Sequence, residues 1–136
     1  MNWLYLSFKF FAQGDPRPQG SMRAFNNRIV HNKSPELMAW RKVVGEAAKA
    51  VGCIPIDGPI IIFMRFILKR PKTVKRKHPT VPPDTDKLVR SVLDALTKIA
   101  YIDDSQVIEL TATKEYGDVP GVEIVITDEF DALDCS

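Results

Sequence analysis

The sequence predicts a single α/β (α+β) domain over residues 1–136: a mixed β-sheet with two main helices, in the order β, loop, α, β, α, β, β. Three observations carry this expectation. A chain of 136 residues closes one hydrophobic core. Two segments show apolar residues at helical spacing behind helix-start signals, at Ser34-Pro35-Glu36 and at Asp84-Thr85-Asp86. Four stretches rich in β-branched and aromatic residues, bounded by Gly, Pro and Asn, read as strands.

Taken in order, residues 3–12 (WLYLSFKFFA) have a strand's composition, with Trp3 packing inside it. Residues 14–35 are rich in Gly, Pro and Asn and read as a long loop holding a small hairpin over Arg23–Val30, turned at Asn26-Asn27. A loop of that length inside a compact domain needs a function to justify it. The first helix runs from Pro35 to about Val51 and buries Leu37, Trp40, Val44 and Ala47 or Ala48. Residues 60–70 (IIIFMRFILKR) are almost continuously apolar and too short for a lipid span, so they form a central strand. The proline-bounded segment 71–83 holds no long regular element. The second helix runs from Asp84 or Thr85 to about Ala100, with Leu88, Val92, Leu96 and Ile99 on one stripe, widened by Val89 and Leu93. Residues 106–115 and 122–127 are the last two strands, joined by a turn through Gly117 and Pro120-Gly121.

The charge distribution narrows the function. Net charge is only +2, but Arg65, Lys69, Arg70, Lys72, Lys75, Arg76 and Lys77 follow one another with no acid between them. From Asp118 onward there are six acids and no base. Such segregation suits a basic surface for a polyanion, against the plainer reading of a solvated loop. Cys53 and Cys135 make no disulfide framework, and with His31 and His78 they lack zinc-ligand spacing. No apolar run reaches the roughly 20 residues of a membrane span. The expected setting is cytoplasmic.

The acids of the second helix have two readings. Asp84 and Asp86 favour a helix N-terminus by roughly 0.3–1 kcal/mol each, so capping alone accounts for them. Asp86, Arg90, Asp94 and Lys98, four apart, make a plain ladder of surface ion pairs. Yet Asp103-Asp104 follow just past the helix, where strand and helix ends approach. Carboxylates converging there would repel unless a hard cation held them, and Mg²⁺ takes oxygen ligands. Acids for a metal, with cations for a phosphate backbone directly upstream, suit a metal-dependent nuclease.

These residues also carry a resemblance. PDTDKLVRSVLDALTKIAYIDDSQV, residues 83–107, resembles the RusA family of Holliday-junction resolvases, which shows a D-x-D-N-L-x-K-x-x-x-D-A-L run followed by D-D-x-Q-V. The likeness extends to the element order and to the Gly-Pro-Arg loop. It implies a Mg²⁺-dependent (Mn²⁺ as substitute) endonuclease that cuts four-way junctions in paired fashion as a homodimer. It places the catalytic and metal-binding acids at Asp84, Asp86 and Asp104, with Asp103 a further metal acid and Asp94 supporting. Two positions depart from the pattern: Lys87 stands for the family's Asn and Arg90 for its Lys. Arginine keeps the charge but donates a proton poorly, so Arg90 and Lys87 are expected to stabilise charge at the scissile phosphate. Arg17, Arg23, Arg28, Lys69, Arg70, Lys72, Lys75, Arg76 and Lys77 are the expected DNA contacts. The alternative is a non-catalytic DNA-binding module with the same cations and merely structural acids. A haloacid-dehalogenase D-x-D would directly follow a buried strand, and here a proline-rich basic loop intervenes. Phe25 and His78 read as a packed loop anchor and a solvated loop residue.

Overall fold

The computed structural model describes residues 6–20, 23–25, 28–30 and 34–128. Trp3, the Asn26-Asn27 turn, His31, Cys135 and the acids beyond Asp128 lie outside the described residues, as do the side chains of Arg23, Phe25 and Arg28. The elements are β1 (Ser7–Gln13), β2 (Arg23–Phe25), β3 (Arg28–Val30), α1 (Pro35–Ala50), β4 (Ile60–Leu68), α2 (Thr85–Leu96), the 3₁₀ turn η1 (Asp104–Gln106), β5 (Val107–Tyr116) and β6 (Gly121–Asp128). β2 and β3 pair as the expected hairpin.

β1, β6, β4 and β5 form one mixed sheet in that order. β4 pairs parallel to β5 and antiparallel to β6, and β6 pairs antiparallel to β1. Parallel pairing of β4 with β5 requires a crossover, and α2 supplies it. β4 is interior, as its apolar run demands, yet its burial alternates: Ile60, Ile62, Met64 and Phe66 are buried, and the residues between them are half-buried. Both helices pack on the buried face, and α1 also packs on α2. The other face carries Phe11, Phe63, Arg65, Thr111 and Val125, partly or wholly exposed. At its centre Arg65 bridges Glu115 at 2.8 Å and Glu123 at 3.4 Å.

The helices follow their sequence signals closely. Ser34 caps α1 by accepting from the Leu37 amide, an interaction that stabilises by about 1 kcal/mol. Leu37, Trp40, Val44 and Ala48 are buried on α1. Leu88, Val89, Val92 and Leu96 are buried on α2, with Leu93 and Ile99 packed at the edge. α2 stops four residues short of its expected end. The Thr97 backbone is extended and Lys98 takes φ +71. There the Thr97 hydroxyl and the buried Tyr101 hydroxyl both donate to the Leu93 carbonyl, satisfying the helix's last turn from the side.

Candidate nucleic-acid and metal site

The two acid pairs behave differently. Asp84 is the N-cap residue of α2, but its side chain makes no capping hydrogen bond. Its carboxylate is exposed, with only the Lys87 ammonium nearby, 3.8 Å away. Capping therefore does not explain Asp84. Asp86, exposed in the first helical turn, is likewise uncommitted. Among the described residues the expected ladder through Asp86, Arg90, Asp94 and Lys98 makes no ion pair, and α2 ends before Lys98.

The second pair splits its tasks. Asp103 accepts from the Ser105 amide at 2.9 Å and caps η1, which holds its carboxyl below the usual carboxylate range. Gln106 is the clamp of this element. Its Oε1 accepts from the amides of Ile102 and Asp103, and its Nε2 donates to the carbonyls of Ile56 and Gly58, all at 2.8 Å. Asp104 is left free. Partial burial, then its neighbours Asp103 and Asp94, push its carboxyl up, and Arg90 opposes them.

Asp104, at the start of η1, thus feels Asp94 and Arg90 of α2, while Asp84 and Asp86 stand at the start of that helix. Asp86 and Asp94 are separated by about 12 Å of helix rise. Among the described residues, no three acid, His or Cys side chains gather as a cation cage.

The basic segment lies at the Asp84 end. Lys69, Arg70, Lys72, Lys75, Arg76 and Lys77 are all exposed, and the segment is anchored. Lys114 Nζ donates to the carbonyls of Val81 at 2.9 Å and Pro83 at 2.8 Å, tying the loop to β5. Arg76 Nε donates to Tyr116 Oη at 3.0 Å, and Arg70 lies 5.0 Å from the Tyr116 ring centre, a cation–π contact. The Gly-Pro-Arg loop docks beside it: Ser91 Oγ donates to the Arg17 carbonyl at 2.7 Å, and the Gln19 amide to the Lys87 carbonyl at 2.9 Å. That docking holds the Arg17–Gln19 backbone against the Lys87–Ser91 stretch of α2, with the Arg17 residue exposed. His78 is exposed, as expected.

A family model described as endodeoxyribonuclease RusA matches residues 13–127. The chain belongs to the RusA endodeoxyribonuclease family. It is also 35% identical to the uncharacterized protein YqaN of Bacillus subtilis (strain 168), over 87% of this chain and 94% of that one. RusA proteins are nucleases of Holliday junctions, so branched DNA is the substrate class that membership implies. The fold expected of the family is the one observed.

Sequence reasoning missed Tyr116, Lys114 and Gln106. Tyr116 reads as the start of a turn, and the structure instead makes it the last residue of β5, paired with Leu68 beside the loop that begins at Lys69. Gln106 was visible only as a letter of D-D-x-Q-V.

Proposed function

We propose that this protein is a Mg²⁺-dependent, structure-selective endonuclease that resolves four-way DNA junctions by paired phosphodiester cleavage in recombination and repair, acting in the cytoplasm. The observation that carries the reading is that Asp84 and Asp86 start α2 with carboxylates unspent on capping, beside an anchored loop of six exposed cations. A merely DNA-binding surface gains nothing from free acids next to its phosphate contacts, since they repel the ligand.

The donor set fits a hard cation. It consists of carboxylates alone, and the carboxyl of Asp104, raised by partial burial and then by Asp103 and Asp94, is one whose charge a cation would relieve. Asp84, Asp86 and Asp104 are the residues proposed to hold the ion, with Asp103 holding the turn that presents Asp104. When bound, Mg²⁺ (or Mn²⁺) supplies charge neutralisation at the phosphate and a more acidic water. The chain's own groups do the rest. Lys69, Arg70, Lys72, Lys75, Arg76 and Lys77 grip the backbone, joined by Arg17, Arg23 and Arg28. Lys87 and Arg90 offset charge on the phosphate, and Asp94 sets the potential at Asp104.

Among the described residues of one protomer the acids form no cation cage. We propose that a homodimer unites them, with Asp84 and Asp86 of one copy meeting Asp104 of a second. A twofold dimer then holds two equivalent sites, matching the paired nicks that a junction needs.

The test is cleavage of synthetic four-way junctions in Mg²⁺. Wild type should cut; Asp86→Asn should bind the junction as well or better and not cut. Retained cutting by Asp86→Asn would sink the catalytic assignment. Binding without cutting by wild type, in Mg²⁺ and in Mn²⁺, would favour the non-catalytic module.

A further inference from the structure

Between the basic loop, Tyr116 and the Asp15–Pro16 turn lies a cleft of about 460 Å³, a size suited to a small planar group. Its walls are apolar, with Pro16, Leu68, Pro79, Val81 and Pro83 closing on the Tyr116 ring. Its rim is cationic, with Lys69, Arg70, Lys72 and Arg76 against the single acid Asp15. The walls are held in place before any ligand arrives. Lys114 fixes Val81 and Pro83 by their carbonyls, Arg76 is bonded to Tyr116, and Arg70 Nη2 donates to the Lys77 carbonyl at 3.4 Å.

That chemistry selects its occupant. A bare phosphate would ignore the apolar walls, and an apolar side chain would leave four cations idle. A nucleotide satisfies both, with its base among prolines and tyrosine and its phosphates on the rim. The Arg70 guanidinium, already stacked on Tyr116, offers a base a flat cationic surface of the kind that unpaired bases favour. A paired base in a duplex cannot enter such a cleft. The cleft also adjoins the proposed chemistry, because Pro83 is bonded directly to Asp84 and Pro16 directly to Arg17.

We infer that this cleft holds the unpaired base of a nucleotide neighbouring the scissile phosphate, and so sets where on a branched strand the protein acts. The inference rests on the nuclease reading for its setting, but its test does not need cleavage.

The experiment uses the full chain without divalent cation. Single-stranded oligonucleotides and four-way junctions carry 2-aminopurine at one position at a time, excited beyond tryptophan absorption. Wild type should change the fluorescence strongly at one position, beside the branch point in junctions. Tyr116→Leu, which removes the ring beneath Arg70, should abolish that change and weaken single-strand binding about tenfold. Val81→Glu, on an exposed wall residue, should do the same through a carboxylate in the cleft, and Val81→Gln should be milder. Circular dichroism reports folding, and Val81→Glu remains decisive if Tyr116→Leu unfolds. No positional signal in wild type, or a full signal in both folded variants, overturns the cleft assignment. If the same preparations still cut junctions in Mg²⁺, the nuclease reading survives that failure. A positional signal lost in the variants, with no cutting by wild type, keeps the cleft and removes the nuclease reading.

Discussion

Asp84 and Asp103 show how far single residues can be read. Both precede a helical turn, and both are capping types. The structure uses Asp103 as a cap and leaves Asp84 free. The D-x-D and D-D pairs were legible as a candidate site, but which acid turns toward a backbone amide depends on rotamer and approach angle. At Asp103 they are set by Gln106, which closes a capping box from three residues on, and Asp84 has no such partner. Gln106→Leu should cost about 2–4 kcal/mol, because two buried-side carbonyls and two amides lose their partner. Thermal unfolding checks it. Asp86→Asn should reduce junction cutting by about 10²–10³-fold, as loss of a group that stabilises transition-state charge does. Arg90→Lys should leave the rate within about threefold if the position only supplies charge. A large gain would mean that a proton donor had been lost. Asp104 adds a pH signature. Its carboxyl is raised in the fold, so the native state binds protons more readily there than the unfolded chain. Its charge therefore disfavours the fold above that titration. Asp104→Asn should melt at or above the wild-type temperature at pH 7 while failing to cut. The gain should vanish as pH falls through the carboxyl titration.

At the scale of elements, order and type were readable because each helix and strand declares itself by period and flanking residues. The sites where reading failed are ends and pairings. α2 keeps an apolar period to Ile99, yet Thr97 and Tyr101 compete for its terminal carbonyl and stop it at Leu96. The cleft beneath the basic loop depends on β4 and β5 ending in register, which no local pattern announces. β6 begins at Gly121, where φ is +158 and an added Cβ would lie 2.3 Å from the Ala12 carbonyl oxygen. Gly121→Ala should therefore destabilise by about 2 kcal/mol or more, through strain and a clash with β1. Denaturant unfolding measures this directly. Lys114→Met should leave the sheet intact but free the loop carbonyls, raising protease sensitivity between Lys69 and Pro83.

For the whole molecule, the decisive arrangement is where the acids stand on and beyond α2. Asp84 and Asp86 start the helix, Asp104 starts η1 after it, and among the described residues no three acids gather as a cation cage. Convergence across a dimer makes a sharp expectation. Asp86→Asn and Asp104→Asn should each be inactive alone. Mixed and allowed to exchange subunits, they should regain single-strand nicking, because a mixed dimer has one site with both acids intact. They should not regain paired cutting. No recovery after verified exchange would mean that each protomer works by itself. The sheet leaves its second face without helices, bearing Phe11 and Phe63 around the Arg65–Glu115–Glu123 cluster. Within β4 the one sign of the open face is Arg65, a single charge in an otherwise apolar strand.

The proposed sharing of one site between two copies also bears on dosage. If half of each blade is carried by a different molecule, cutting rises with the square of concentration when copies are scarce. A few stray copies would then be harmless to the DNA around them. The tightness of the dimer, and no inhibitor, would set the level of expression at which cutting begins.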